Sequence, residues 1–195
     1  ELGIQPGDKI AIISNNRPEW NIMDIGIGQV GGIVCPVYPT VSENDYKFIF
    51  NDAEVRYVFV SDTEILAKVN AVKKDVSSLK GIYSFNKIDG ITHWSSLLEL
   101  GNKSRLDEVK ARMNTVAEDD LATIIYTSGT TGNPKGAMIS HKNMMSNAKN
   151  CVERLPVGND AKALSFLPLC HVYERMLTYL YQITGVSIYY AESMD

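Results

Sequence analysis

The chain alternates short apolar runs with segments whose apolar residues recur at helical spacing, and this alternation limits the fold more than any other feature. Strands are predicted at Lys9–Ser14, Ile33–Tyr38, Val55–Val60, Gly81–Phe85, Leu121–Tyr126, Ala137–Ile139, Ala163–Leu167 and Val186–Tyr190. Strand–helix–strand units cross over in a right-handed sense and cover both faces of a sheet with helices. The sequence therefore predicts an α/β fold with a mostly parallel sheet and helices on both faces.

The intervening helices are predicted from their caps and apolar spacing. Three of them are predicted at Pro18 to about Gly31, Thr63–Asp75 and Val172–Thr184. Two more are predicted to start at Ser42, with Asp45 as its capping partner, and at Ser140. Ser95 to Arg112 is polar and is predicted to be a peripheral connector with two helical pieces. The side chains expected to face the core from the first helix and from the helix after Ser140 are Trp20, Met23, Ile27, Val30, Met144, Ala148, Cys151, Val152 and Leu155.

Composition excludes several classes of function. Of the 195 residues, 45% are hydrophobic and 22% are charged, and no apolar run approaches the roughly 18 residues of a membrane span. The net charge is −4 and the basic residues are scattered, so a nucleic-acid partner is not expected. Three widely spaced cysteines, Cys35, Cys151 and Cys170, indicate reduced core residues and a cytoplasmic location.

The densest chemistry lies in Thr127-Ser-Gly-Thr-Thr-Gly-Asn-Pro-Lys-Gly136, between two predicted strands. Its three glycines allow the backbone N–H groups to approach an anion, and its four hydroxyls and Lys135 add donors and a positive charge. It is not a Walker sequence, because Pro134 precedes the lysine and Gly136 follows it. The alternative is a plain glycine-rich hairpin, but a hairpin needs only one or two special residues. Phosphate binding is the preferred interpretation.

Two other features allow a functional and a structural interpretation. Gly26-Ile-Gly28-Gln-Val-Gly31 matches the dinucleotide-binding string, but it lies at the far end of a helix rather than directly after a strand, so helix packing is preferred. His171 follows a predicted strand and a turn at Pro168, where open α/β sheets place ligands, although a lone histidine is often only a hydrogen-bonded structural residue. His141 is expected to mark a helix start, and His93 is expected to have no role. No histidine or cysteine cluster has zinc-ligand spacing.

The phosphate-binding stretch resembles the signature loop of the AMP-forming acyl-CoA synthetases and their adenylating relatives. Asp8–Trp20, Pro36–Thr40 and Leu167–Arg175 are similar to the long-chain fatty-acid CoA ligase branch, and the resemblance covers nearly the whole chain. It implies that residues 1–195 are part of the large N-terminal, AMP-binding domain of such an enzyme. The chain opens on Glu1 rather than methionine, and we expect it to be a piece of a longer protein.

The resemblance also implies a reaction. A fatty carboxylate attacks the α-phosphate of ATP to give acyl-adenylate and pyrophosphate, and the thiol of coenzyme A then displaces AMP. Mg²⁺ and hydrogen-bond donors must neutralise the triphosphate. The residues matching the ATP-phosphate loop are Thr127, Ser128, Gly129, Thr130, Thr131, Gly132 and Lys135; Thr127 also matches a hydroxyl near Mg²⁺, and His171 matches the acyl and adenylate pocket.

Several family elements have no counterpart before Asp195: the adenine-binding segment with its magnesium-ligating glutamate, the ribose-binding aspartate, the hinge, and the C-terminal domain with its catalytic lysine. Arg175 lies where some bacterial enzymes carry a tryptophan gate, so the gate is not carried over. We expect this chain alone to make no acyl-CoA. The alternatives are a non-catalytic nucleotide- or acyl-binding module and an adenylating ligase for another carboxylic acid. Peripheral membrane association of the full protein is compatible with the resemblance.

Overall fold

The computed structural model describes residues 2–101, 105–127, 132–155 and 157–191. Within them the strands are β1 (Lys9–Ile13), β2 (Ile33–Pro36), β3 (Val55–Val60), β4 (Gly81–Ser84), β5 (Thr92–His93), β6 (Leu121–Thr127), β7 (Lys135–Ser140), β8 (Lys162–Ser165) and β9 (Ser187–Tyr190). The helices are α1 (Pro18–Gln29), α2 (Glu43–Asp52), α3 (Thr63–Val72), α4 (Ser95–Leu100), α5 (Leu106–Met113), α6 (His141–Val152) and α7 (Val172–Thr184), and a 3₁₀ turn at Lys73–Asp75 extends α3.

Seven strands form one sheet in the order β5-β4-β3-β1-β2-β6-β7. Every neighbouring pair is parallel except β6 and β7, which form an antiparallel hairpin. This arrangement confirms the mostly parallel α/β sheet. The predicted strands at either end of α7 do not join it, because β8 and β9 pair with each other in parallel as a separate two-stranded sheet.

Alternation along β1 assigns the two faces of the large sheet. Ala11 and Ile13 face a core that includes the apolar sides of α2 and α3, whereas Ile10 and Ile12 face a second core that includes Trp20 of α1. Residues at successive positions of a strand point to opposite faces, so each face receives its own helices. Full burial of an isoleucine side chain, such as that of Ile10 or Ile12, stabilises the fold by about 1.5–3 kcal/mol.

Helix starts follow the predicted caps. Ser42 accepts a hydrogen bond from the backbone N–H of Asp45, whose carboxylate accepts one from the backbone N–H of Ser42, which is a complete capping box. Ser140 and Asn143 form the same reciprocal pair at the start of α6. These bonds satisfy backbone donors that have no partner inside the helix.

Some local predictions were wrong or incomplete. Leu155 was expected to face the core but lies beyond the end of α6 and is 47% exposed, and Cys151 is only partly buried. The two-residue strand β5 was not predicted, because two residues carry no periodic signal. On α1, the polar residues Asn21 and Asp24 are buried beside the expected Trp20 and Ile27. Their burial depends on partners from α7 and β9 that lie far away in the sequence.

Candidate functional site

The predicted phosphate loop lies at the tip of the β6–β7 hairpin. Thr127 at the end of β6 pairs directly with Lys135 at the start of β7, and both residues are exposed. Gly132 has a φ of +128°, a conformation that side chains other than glycine rarely adopt, and a Cβ there would meet no atom within 4 Å. The remaining predicted loop residues, Ser128, Gly129, Thr130 and Thr131, lie outside the described residues. The structure therefore shows a hairpin in this segment, and phosphate binding at its tip stays a prediction.

The base of this hairpin is closely packed. Gly136 lies opposite Tyr126, and a Cβ at Gly136 would come within 2.7 Å of Ile124 Cγ2 and 3.1 Å of the Tyr126 ring. The hydroxyl of Tyr126 donates a hydrogen bond of 2.5 Å to the carboxylate of Asp52, at the end of α2. The pKa of Tyr126 is raised mainly by burial and secondly by this hydrogen bond to Asp52, so the phenol stays protonated. These contacts tie the strand that ends at Thr127 to the helix layer.

Sheet topology places Thr127 at the carboxyl edge of the sheet. Strands β1, β2 and β6 are parallel neighbours, so their carboxyl ends meet at one edge. Strand β6 lies two positions from β1, which corresponds to about 10 Å at the usual strand spacing. Asn15 and Asn16 lie two and three residues after the end of β1 and therefore share this edge with Thr127. Open α/β sheets bind ligands at this kind of edge.

His171 is the N-cap residue of α7, and its side chain is exposed. Its Nδ1 accepts a hydrogen bond of 3.3 Å from the backbone N–H of Tyr173. A neutral imidazole that accepts at Nδ1 carries its proton on Nε2, so Nε2 is the atom left to donate outward. The structural interpretation of His171 therefore holds for Nδ1, and Nε2 makes no hydrogen bond within the part of the chain that the structure describes.

Arg175 is not an exposed gate. Its guanidinium is buried against α1, where Nε donates to Asp24 at 3.0 Å, and the Asp24 carboxylate also accepts a hydrogen bond of 2.6 Å from the hydroxyl of Tyr179. Burial and the nearby Asp24 carboxylate raise the pKa of Tyr179. No local pattern of residues indicates this network, because 151 positions separate Asp24 from Arg175.

The other two histidines, His93 and His141, lie outside the hairpin tip. His93 is held between the Ser95 hydroxyl at 2.7 Å and the backbone carbonyl of Phe85 at 2.8 Å. His141 is the first residue of α6, as expected, and lines a cleft of about 550 Å³ between α1, α6 and α7. Desolvation by burial lowers the pKa of His141. Because His141 follows Ser140, which pairs with Leu121 at the start of β6, this cleft lies at the opposite edge of the sheet from Thr127.

The dinucleotide-like glycine string does not form a nucleotide loop. Gly26 and Gly28 lie inside α1, and Gly31 follows its end with a φ of +76°. A Cβ on Gly28 would lie 3.5 Å from the His141 ring, whereas one on Gly26 would meet nothing within 4 Å. A Cβ on Gly28 would thus make only ordinary van der Waals contact, so close packing requires neither glycine within α1, whereas one on Gly31 would lie 3.3 Å from Pro6 Cβ.

Metal ligands and reactive thiols are not evident in the described part of the chain. No group of three or more histidine, cysteine or acidic side chains there has a metal-binding arrangement. Burial raises the pKa of the Cys35 and Cys170 thiols to about 12, so both stay protonated. None of the described helices has the length and apolar character needed to cross a bilayer.

A family model described as AMP-binding enzyme matches residues 1–195. The chain belongs to the AMP-binding enzyme family. It is 32% identical to the long-chain-fatty-acid–CoA ligase FadD15 of Mycobacterium bovis over 184 residues, which covers 91% of this chain and 30% of that protein. It is 33% identical to human long-chain-fatty-acid–CoA ligase 1, covering 94% of this chain and 28% of that protein. The chain thus spans less than a third of these relatives.

Solved structures support the fold. A fatty acyl CoA synthetase of Mycobacterium tuberculosis superimposes with a TM-score of 0.78 at 21% identity, covering all of this chain and 36% of that structure. A red-emitting luciferase of Phrixothrix hirtus gives a TM-score of 0.84 at 20% identity, covering 99% of this chain and 38% of that structure. The described sheet and helices therefore have the fold of adenylate-forming enzymes of this family.

Proposed function

We propose that residues 1–195 form part of the N-terminal, AMP-binding domain of a long-chain fatty-acid CoA ligase and supply the part of its site that grips the phosphates of ATP. The observation that carries this proposal is the hairpin tip, where Thr127 and Lys135 pair across two strands and are exposed at the carboxyl edge of the sheet. Family membership supports ATP-dependent activation of an acid, and the names of the relatives support a long-chain fatty acid.

The proposed chemistry brings two anions together. The fatty carboxylate attacks the α-phosphate of ATP, the bond from that phosphate to the pyrophosphate breaks, and acyl-adenylate forms; the thiol of coenzyme A then displaces AMP. Lys135 carries a positive charge to the hairpin tip, where it neutralises the leaving pyrophosphate. The backbone N–H groups and the hydroxyls of residues 128–131 would add donors to the β- and γ-phosphates. Bound Mg²⁺ would supply further charge neutralisation beside the Thr127 hydroxyl.

His171 takes a separate role in this proposal. It is the N-cap residue of α7, and its Nε2 makes no hydrogen bond among the described residues. The turn before it is hydrogen-bonded to Asn16 at the carboxyl edge of the sheet. A donor at this place would line the pocket for the acyl carboxylate and the adenylate. ATP, the fatty acid and coenzyme A are then the small-molecule substrates, and a cytoplasmic location remains a prediction.

An acid-dependent exchange assay tests the proposal. The complete protein that contains this chain is incubated with ATP, labelled pyrophosphate and one acid from a panel of palmitate, octanoate, acetate, benzoate and phenylalanine. We expect exchange of label into ATP that is fastest with palmitate, and palmitoyl-CoA when coenzyme A is added. Fastest exchange with benzoate or phenylalanine would assign the chain to a different adenylating ligase.

A parallel assay on residues 1–195 alone tests the incomplete site. We expect this piece to give no exchange, because the adenine-binding segment and the catalytic lysine of the family are not among its residues. Exchange near the rate of the complete protein would contradict this division of the site. ATP binding by the complete protein with no acid giving exchange would instead favour a non-catalytic nucleotide-binding module.

A further inference from the structure

Asn16 uses both ends of its carboxamide on one turn. Its Nδ2 donates to the backbone carbonyl of Leu167 at 2.7 Å, and its Oδ1 accepts from the backbone N–H of Leu169 at 2.9 Å. Nδ2 also lies 3.2 Å from the hydroxyl of Ser165 at the end of β8. A carboxamide that accepts and donates in this way replaces a backbone peptide group, so Asn16 binds the turn as a neighbouring strand would.

This turn leads directly into His171. The backbone N–H of His171 donates to the carbonyl of Pro168 at 2.9 Å, and the carbonyl of His171 accepts the first hydrogen bond of α7 from the N–H of Arg175 at 3.1 Å. A displacement of the Leu167–Leu169 backbone is therefore passed to the N-cap residue. Asn16 itself is fixed by the preceding strand β1, whose Ile10–Ile13 are fully buried.

Other polar contacts join α1 to α7 and β9, and they do not involve the turn at Leu167–Leu169. Asn21 donates to the hydroxyl of Tyr190 on β9, and Asp24 pairs with Arg175 one turn into α7. Among the described side chains, Asn16 alone hydrogen-bonds the backbone of Leu167 and Leu169. Losing the amide should therefore release the turn, whereas the body of α7 stays held by the Asp24–Arg175 pair.

We propose that Asn16 is a positioning residue that sets the location of His171 at the carboxyl edge of the sheet. Its kinetic consequence rests on the proposed function: a misplaced His171 weakens recognition of the acid, while the hairpin tip that binds the ATP phosphates is unaffected. Nothing in the amino-acid pattern around Asn16 predicts this role, because the residues it binds lie about 150 positions later.

The neighbouring residue supplies a matched control. Asn16→Asp keeps the shape and the oxygen that accepts from Leu169, but it loses the N–H donors and turns a carboxylate oxygen toward the Leu167 carbonyl. Asn15→Asp makes the same chemical change one residue earlier on an exposed side chain. An effect of charge alone should therefore appear in both variants, and an effect of the turn only in Asn16→Asp.

The imidazole NMR signals of the complete protein give a readout that does not depend on the proposed reaction. The His171 signal is assigned by its absence in His171→Gln. We expect Asn16→Asp to shift the His171 signal while the His93 signal stays in place, and Asn15→Asp to leave both signals unchanged. An unshifted His171 signal in folded Asn16→Asp would overturn the proposal. Should this variant fail to fold, Asn16→Ser, which keeps a small polar side chain, takes its place in the same measurement.

Kinetics on the same variants test the functional part. We expect Asn16→Asp to raise the KM for the fatty acid by about tenfold and to change the KM for ATP by less than about twofold, because misplacement of a positioning group by a fraction of an ångström has effects of this order. Equal changes in both constants, or a melting temperature that falls in proportion to the activity, would show a structural role only. If the wild-type protein shows no acid-dependent exchange, the proposed function fails, and the NMR comparison still decides the role of Asn16.

Discussion

Arg175 on α7 and Asp24 on α1 form an ion pair in which the two side chains are 2% and 1% exposed. The pair joins α7, the helix that begins at Val172, to the helix on the second face of the large sheet. Tyr179 adds a hydrogen bond to Asp24, and the guanidinium of Arg175 lies over the Trp20 ring at 5.7 Å. Two desolvated charges stabilise a fold only while both partners are present.

Removal of one partner should therefore be more costly than removal of both. We expect Arg175→Met to lower the free energy of unfolding by about 3–5 kcal/mol, because the Asp24 carboxylate stays buried without its counter-charge. The double variant Asp24→Leu with Arg175→Met should lose less than the sum of the two single variants. Urea unfolding of the four proteins measures this coupling. Strict additivity would show that the pair contributes no mutual stabilisation.

Lys135 should matter for ATP chemistry and not for stability. Its side chain is exposed at the hairpin tip and makes no ion pair among the described residues. We expect Lys135→Ala in the complete protein to slow acid-dependent pyrophosphate exchange by roughly 100-fold, the size of effect seen when one preorganised charge-stabilising group is removed. Lys149→Ala, on the exposed side of α6, is the control and should leave the exchange rate unchanged. A loss below about twofold in Lys135→Ala would argue against the phosphate role.

Gly136 should resist substitution for a packing reason. A methyl group there would come within 2.7 Å of Ile124 Cγ2, and the ring of Tyr126 closes the other side. We expect Gly136→Ala to lower the free energy of unfolding by about 1–3 kcal/mol, the usual cost of overpacking. Thermal unfolding followed by circular dichroism measures the loss, and an unchanged melting temperature would mean that the hairpin adjusts without cost.

The glycines of α1 should behave in the opposite way. Alanine is a better helix former than glycine by about 1 kcal/mol, and a Cβ on Gly26 would meet no atom within 4 Å. We expect Gly26→Ala and Gly28→Ala both to be stabilising, because the added methyl group meets open space at position 26 and makes an ordinary van der Waals contact of 3.5 Å with the His141 ring at position 28. ATP affinity, measured by calorimetry, should be unchanged in both. Selective loss of ATP binding in a folded Gly28→Ala protein would restore the dinucleotide-binding interpretation of this string.

His141 should make stability depend on pH. Burial is the main cause that lowers its pKa below the ordinary value of 6.5, and Arg175 lowers it further against the opposing effect of Asp120. The unfolded chain then binds a proton more readily than the folded chain, so this stabilising contribution is complete above about pH 6.5 and is lost as the pH falls through the lowered pKa. We expect the free energy of unfolding to fall with acid over this window, and His141→Gln to remove that component.

Local sequence signals predicted most of the secondary structure. Val55–Val60 has the predicted bounds, and the Ser42–Asp45 capping box forms as expected, because strand periodicity and helix caps depend on residues only a few positions apart. The separate pairing of β8 with β9 was not predictable in this way. Which strand lies beside which depends on the packing of helices between them, and apolar periodicity does not specify it.

The candidate site likewise has features that are visible in the local sequence and features that depend on contacts between distant residues. The glycines, the hydroxyls and Lys135 of residues 127–136 lie in one short segment, so a phosphate-binding role could be predicted from that segment alone. The contacts of Asn16 with the turn before His171, the pairing of Arg175 with Asp24 and the close packing around Gly136 became evident only from the folded chain. These contacts join residues separated by up to about 150 positions, and long-range polar partners are selected by the packing of the sheet and helices rather than by the residues on either side of them.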